Sequence, residues 1–193
     1  YLMTVEYKPY PPSFYHMDQL KSLTRFRDSL VRQHSRQLVE LTNILDKVFP
    51  EFKPFFDGKF SVTALYILSH YQSPEKIANM NAKSYEALRK KSRGKFSMVK
   101  FAQLKALAKN TVGRSDDFLL KQMEITIDIE NQLDAKIDEI ETQIAECIRG
   151  LNPPVLTIPG IGEQTAAIIL SECGDINKFE GPAQMLSFAG LEP

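Results

Sequence analysis

Three sets of residues in this chain have the types and spacing to do chemistry with a phosphate. The most specific is Ile158-Pro159-Gly160-Ile161-Gly162, followed by Thr165-Ala166-Ala167 and an apolar run. Gly160 and Gly162 permit φ angles and a close backbone approach that a side chain would block, and Ile161 between them can plug the gap between two helices. A helix starting after Gly162 would point unpaired N–H groups outward. With the positive end of its dipole, those groups make a site for a phosphate oxygen without reading bases. The expected contact set is Pro159, Gly160, Ile161, Gly162 and Thr165, while Ala166 and Ala167 keep the helix close to its neighbour. Glu163 and Gln164 stand where Lys or Arg would suit a phosphate better, so the alternative is a turn that only packs.

The second set is the cluster Arg89, Lys90, Lys91, Arg93 and Lys95, which would neutralise several phosphates and give salt-dependent, largely sequence-blind affinity. Its alternative is a solvated loop between two helices. Tyr85 and Phe96 stand nearby and suit core packing better than base stacking. The third set, Arg25, Arg32 and Arg36, falls on the back of an amphipathic helix together with Lys21. Other candidates are weaker. His34 sits in an apolar stripe, where a satisfied core histidine is the better reading, and Asp175 suits a turn or cap. Cys147 and Cys173 have neither CxxC spacing nor a histidine cluster, so no disulfide or zinc framework is expected and a reducing, cytoplasmic setting is.

The elements that must position these groups read as helices. With 193 residues, 43% of them apolar, the chain can bury a core and fits one or two domains. The net charge of zero conceals a polarity: residues 75–109 hold ten Lys or Arg against two acids, and residues 115–149 hold ten acids against three bases. Residues 1–16, with Pro9, Pro11 and Pro12, suit an extended linker. Over residues 17–48, Leu20, Leu23, Leu30, His34, Leu38, Leu41, Leu45 and Val48 form one helical stripe, with Arg27 near it and without an evident partner. Pro50 and Pro54 bracket a Phe-rich turn, and residues 60–71 predict a short buried helix. Ser73 and Ser97 are helix caps. Ser115-Asp116-Asp117 opens a long helix reaching Gly150, on the order of 50 Å in length, with Leu133, Ile137, Ile140 and Ile144 in a coiled-coil rhythm that Thr126 and Glu130 break. That seam suits either pairing with a second chain or antiparallel packing on the 17–48 helix. The expected fold is all-α: a helical bundle with a long coiled-coil-like helix, then a helix-hairpin-helix segment. The domain reading is 1–16 linker, 17–150 helical and coiled-coil region, and 151–193 hairpin region. No apolar run approaches the roughly 20 residues of a membrane span.

Residues 154–193 also resemble a known family. The proline-glycine hairpin is followed by Gly174-Asp-Ile-Asn-Lys-Phe179 and then by Ala189-Gly-Leu-Glu-Pro193. In this order they resemble insertion-sequence transposases of the DEDD type, relatives of the Piv DNA invertases. Upstream, the Arg- and Leu-rich helix, the Phe49-Pro-Glu51 turn, the basic middle and the long helix agree. The resemblance implies a protein that cuts and rejoins DNA, with an N-terminal acidic domain binding divalent metal (Mg) and a C-terminal nucleophilic serine. It places both sets outside this chain. The chain is therefore expected to be a fragment, inactive alone, with no catalytic residue, no metal ligand and no cofactor of its own. Ser187 suits packing or a helix surface instead. Expected partners are DNA, a structured guide RNA and a second copy in a homodimer, with no membrane. Two other classes stay open: a coiled-coil structural module, and a helix-hairpin-helix DNA-repair or junction-binding protein.

Overall fold

The computed structural model describes residues 12–114, 116–174 and 179–191, with side chains from residue 17 onward. Among these the structure is all-α. The order is α1 (Pro12–Val48), α2 (Phe52–Phe55), α3 (Val62–Tyr71), α4 (Pro74–Ala78), α5 (Ala82–Lys91), α6 (Met98–Lys109), α7 (Asp117–Leu151), a 3₁₀ turn (Pro154–Thr157), α8 (Glu163–Cys173) and α9 (Pro182–Phe188). No helix among the described residues is long and apolar enough to cross a membrane. The chain divides into two units, residues 31–135 and residues 1–30 with 136–193, and α1 and α7 each supply one part to either unit.

Local chemistry accounts for most helix starts. Ser61 Oγ accepts the Ala64 amide, Ser73 Oγ the Lys76 amide, Asn81 Oδ1 the Ser84 amide, Ser97 Oγ the Lys100 amide and Asp116 Oδ1 the Leu119 amide. Each satisfies one of the donors that a helix start leaves orphaned. The α1 helix begins at Pro12, ahead of Met17, because proline is tolerated in a first turn. The earlier part of the expected linker, residues 1–11, lies outside the described residues, as do Ser115, Asp175 and Pro193.

In the 31–135 unit, Leu41, Ile44, Leu45 and Val48 of α1 are buried together with Phe49, Phe52, Ile67, Leu68, Leu88 and Leu104. Each such side chain contributes about 1.5–3 kcal/mol by leaving water. The Phe-rich turn joins this core: Phe52 is fully buried and the Phe49 and Phe52 rings lie 5.6 Å apart. The loop before α7 is clamped to the end of α1. Arg114 donates its amide to Lys47 O at 2.8 Å, and Glu51 accepts from Thr111 Oγ1 at 2.6 Å and from the Val112 amide at 3.0 Å. Gly113 fits because a Cβ there would stand 2.2 Å from Val48 O. Within this unit α1 meets α7 through polar pairs as well as apolar ones. Gln122 donates to Glu40, and His34 Nε2 lies 2.7 Å from Glu130 Oε1 with the ring N–H too poorly aligned for a hydrogen bond. Burial raises the Glu130 carboxyl above the ordinary carboxylate range, His34 opposes that, and Asp134 adds to it.

In the other unit, Arg27 of α1 pairs with Glu141 of α7, its Nε lying 2.9 Å from Oε1. Arg27 thus finds within the chain the partner that its position near the apolar stripe requires. The core here includes Leu20, Leu30, Ile140, Ile144, Ile148, Ala166 and Ala167. Of the two readings of the α7 seam, antiparallel packing on α1 is the one present within each unit.

Candidate nucleic-acid interface

The hairpin begins where Asn152, in a left-handed conformation (φ 41°), closes α7 ahead of Pro153 and Pro154. After the 3₁₀ turn, the Ile161 amide bonds to Ile158 O at 3.1 Å. Pro159 then occupies the second position of a tight turn and Gly160 the third, at φ +89°. This is the residue order of a type II turn, and only glycine adopts that third position without strain. Gly162 is extended (φ −88°, ψ 175°) and precedes α8 without giving it any side-chain cap.

The first α-helical bond of α8 runs from the Ala166 amide to Gly162 O at 2.9 Å. The amides of Glu163, Gln164 and Thr165 therefore have no intrahelical acceptor, and among the described residues no side chain supplies one. Their surroundings are open. A Cβ built on Gly160 or Gly162 would meet nothing within 4 Å, and Pro159, Gly160, Gly162 and Thr165 are exposed, with Ile161 half-buried. Ala166 and Ala167 are fully buried on the opposite side.

Glu163 and Gln164, the two residues least suited to a phosphate site, turn their side chains back to α7. Arg149 Nε lies 3.1 Å from Glu163 Oε1, and Gln164 Nε2 donates to Glu141 O at 3.0 Å. The acid is thereby offset by a neighbouring cation. At its far end α8 is latched to α1: Arg25 grips both Glu172 oxygens at 2.9 and 3.1 Å, Lys21 adds a contact at 3.0 Å, and buried Thr24 and Ser171 share a hydrogen bond at 3.2 Å. Arg25 and Lys21 hold the Glu172 carboxyl below its usual range. Arg25 thus has a positioning role that its place on a helix back did not reveal.

The basic cluster lies in the 31–135 unit. Arg89, Lys90 and Lys91 form the last turn of α5, where cations complement the negative end of the helix dipole. Arg93 and Gly94 follow in left-handed conformations (φ 52° and 79°), and the Gly94 amide returns to Arg89 O at 2.8 Å. Ser92 Oγ accepts the Phe96 amide at 3.0 Å, and Phe96, 4% exposed, plugs the loop into the core beside Phe55 and Phe56. Tyr85 packs on Phe101 at 5.3 Å. Phe96 is core and Tyr85 packs half-buried against that core, while all five cations of the cluster are exposed. Arg32 and Arg36 are also exposed, on α1 in the same unit.

Other candidates fall away from these sites. Cys147 and Cys173 are free thiols, and Ser187 is exposed on α9. Among the described residues no three His, Cys, Asp or Glu side chains gather as a metal-binding group.

The class these features define is an all-α chain with an uncapped hairpin helix and a cationic loop anchored to the core by Phe96. Residues 152–193, which span that hairpin, α8 and α9, match the model of the transposase IS116/IS110/IS902 family. No curated protein matches the chain. The family match supports an insertion-sequence transposase and a transposase-related role.

Proposed function

We propose that this chain is a nucleic-acid-binding, self-associating part of an insertion-sequence transposase of the DEDD type, akin to the Piv invertases, serving DNA transposition by strand cleavage and rejoining in the full protein. In this reading the start of α8 holds a backbone phosphate on the Glu163, Gln164 and Thr165 amides, as the hairpin of a helix-hairpin-helix does. The basic loop after α5 adds electrostatic affinity for DNA or a structured RNA. No residue of the chain is assigned a catalytic role.

The observation that carries the reading is the contrast in capping. Five helices of this chain, α3 to α7, begin under a Ser, Asn or Asp side chain, whereas α8, like the seven-residue α9 after Gly181, begins at a glycine with open space around it. A turn that served only packing would gain stability from a capping side chain at Gly162, where nothing stands in its way. Self-association is supported by a second apolar stripe on α7, where Phe118, Ile125 and Ile129 are 89%, 48% and 40% exposed. Electrophoretic binding of duplex DNA and of structured RNA at about 50 and about 200 mM salt tests the nucleic-acid reading. A shift that weakens steeply with salt is expected, and no shift at the lower salt overturns the reading in favour of a structural module. Light scattering at high micromolar concentration tests the dimer, which a monomeric mass would refute.

A further inference from the structure

A cleft of about 800 Å³ opens beside the basic loop in the 31–135 unit. Lys90, Lys91, Arg93 and Lys95 line it together with Val62, Ala87 and Tyr66. His70 stacks on Tyr66 with ring centroids 3.9 Å apart, and the Lys91 ammonium lies 5.9 Å from the Tyr66 centroid. None of the four cations forms an ion pair among the described residues.

The helix dipole accounts for Lys90 and Lys91 at the end of α5, but Arg93 and Lys95 lie beyond the helix. Arg93 moreover holds a left-handed conformation (φ 52°) that strains a non-glycine residue. Four cations without an ion pair beside a tyrosine ring match what an unpaired nucleic-acid strand requires: charge along its backbone and an aromatic ring for a base. The cleft has the size of a small-molecule site, about 300–1,000 Å³, which admits a nucleotide.

The geometry points to this cleft as a binding site for an unpaired strand, with phosphates on Lys90, Arg93 and Lys95 and a base against Tyr66. This rests on the nucleic-acid reading above and adds to it a location and a preference for unpaired nucleotides. The strand is DNA or RNA, which share this chemistry.

Fluorescence anisotropy on the whole chain tests it, with labelled oligodeoxythymidylate and oligouridylate of about eight nucleotides and a DNA duplex as probes. The double variant Lys90→Glu with Arg93→Glu changes exposed side chains only. It is expected to weaken both oligonucleotides about tenfold or more, to lower their salt slope by about 1.4 for two lost phosphate contacts, and to weaken the duplex, which meets the loop only through its general electrostatic attraction, by clearly less. Tyr66→Leu, which keeps apolar bulk for the core, is expected to weaken the oligonucleotides about fivefold or more, and Tyr66→Phe to leave them nearly unchanged. The tighter of the two oligonucleotides identifies the strand. Unchanged oligonucleotide affinity in the double variant, with duplex binding intact, overturns this inference and spares the hairpin reading. Equal loss for duplex and oligonucleotides overturns the preference for unpaired strands. Binding of no probe by the unaltered protein overturns both.

Discussion

Replacing Gly162 by Asp should make the protein more stable and a poorer ligand for nucleic acid. Gly162 has an extended backbone open to any residue, and a Cβ there meets nothing within 4 Å, so the new side chain enters without a clash. Its carboxylate would cap the α8 amides that now lack an acceptor. Aspartate in place of glycine at such a position gains a few tenths of a kcal/mol, and its charge on the helix dipole adds about 0.3–1 kcal/mol. At about 2–4 °C per kcal/mol for a chain of this size, melting should rise by about 1–5 °C. Binding should move the other way. A hydrogen bond to a charged phosphate contributes about 1.5–3 kcal/mol, and a carboxylate about 5 Å from that phosphate adds about 1 kcal/mol of repulsion even in water. At tenfold per 1.4 kcal/mol the loss is on the order of a hundredfold. Calorimetric melting and duplex anisotropy at low salt measure the two effects on one sample. Higher melting with unchanged affinity would show that the amides touch no phosphate and that the hairpin only packs.

Three further outcomes follow from the packing. Glu130→Gln should flatten the pH dependence of stability above about pH 4.5: the folded carboxyl titrates above its unfolded value, so its contribution is complete at low pH and is lost as pH rises through the raised value. Urea melts from pH 4 to 8 check this, and a parallel decline in both proteins refutes it. Gly113→Ala should cost about 1–3 kcal/mol or more, since the added Cβ would stand 2.2 and 2.5 Å from main-chain atoms of Val48. Urea unfolding measures it, and a neutral result contradicts the close approach. Glu172→Gln should reduce the fall in melting temperature on acidification, because the lowered carboxyl contributes stability at neutral pH that is lost as pH drops through its folded value. Identical acid profiles would show that the Arg25 and Lys21 latch adds nothing.

What the sequence made legible was local. Ser73 and Ser97 could be read as caps because a cap acts within three residues of itself, and the α1 stripe because its period is helical. The Pro159-Gly160 turn and the buried Ala166-Ala167 pair belong to the same kind of signal. Hidden were the partners. Arg27 in an apolar stripe and the polar interruption at Glu130 each read as a defect, yet Arg27 meets Glu141 and Glu130 meets His34, across sequence separations that no periodicity spans. Arg25 looked like any cation on a solvated face, and only the return of α8 shows it gripping Glu172. Tyr66 and His70 escaped notice because residues 60–71 read as a buried apolar segment, whereas α3 buries Ile67 and Leu68 and leaves His70 exposed.

Resonances of the Glu163, Gln164 and Thr165 amides, followed in nitrogen-15 correlation spectra while a short DNA duplex is added, test the central claim most directly. They should move early and saturably in the unaltered protein, less at higher salt, and not in Gly162→Asp. Duplex binding that shifts other amides and leaves these three in place would contradict the account.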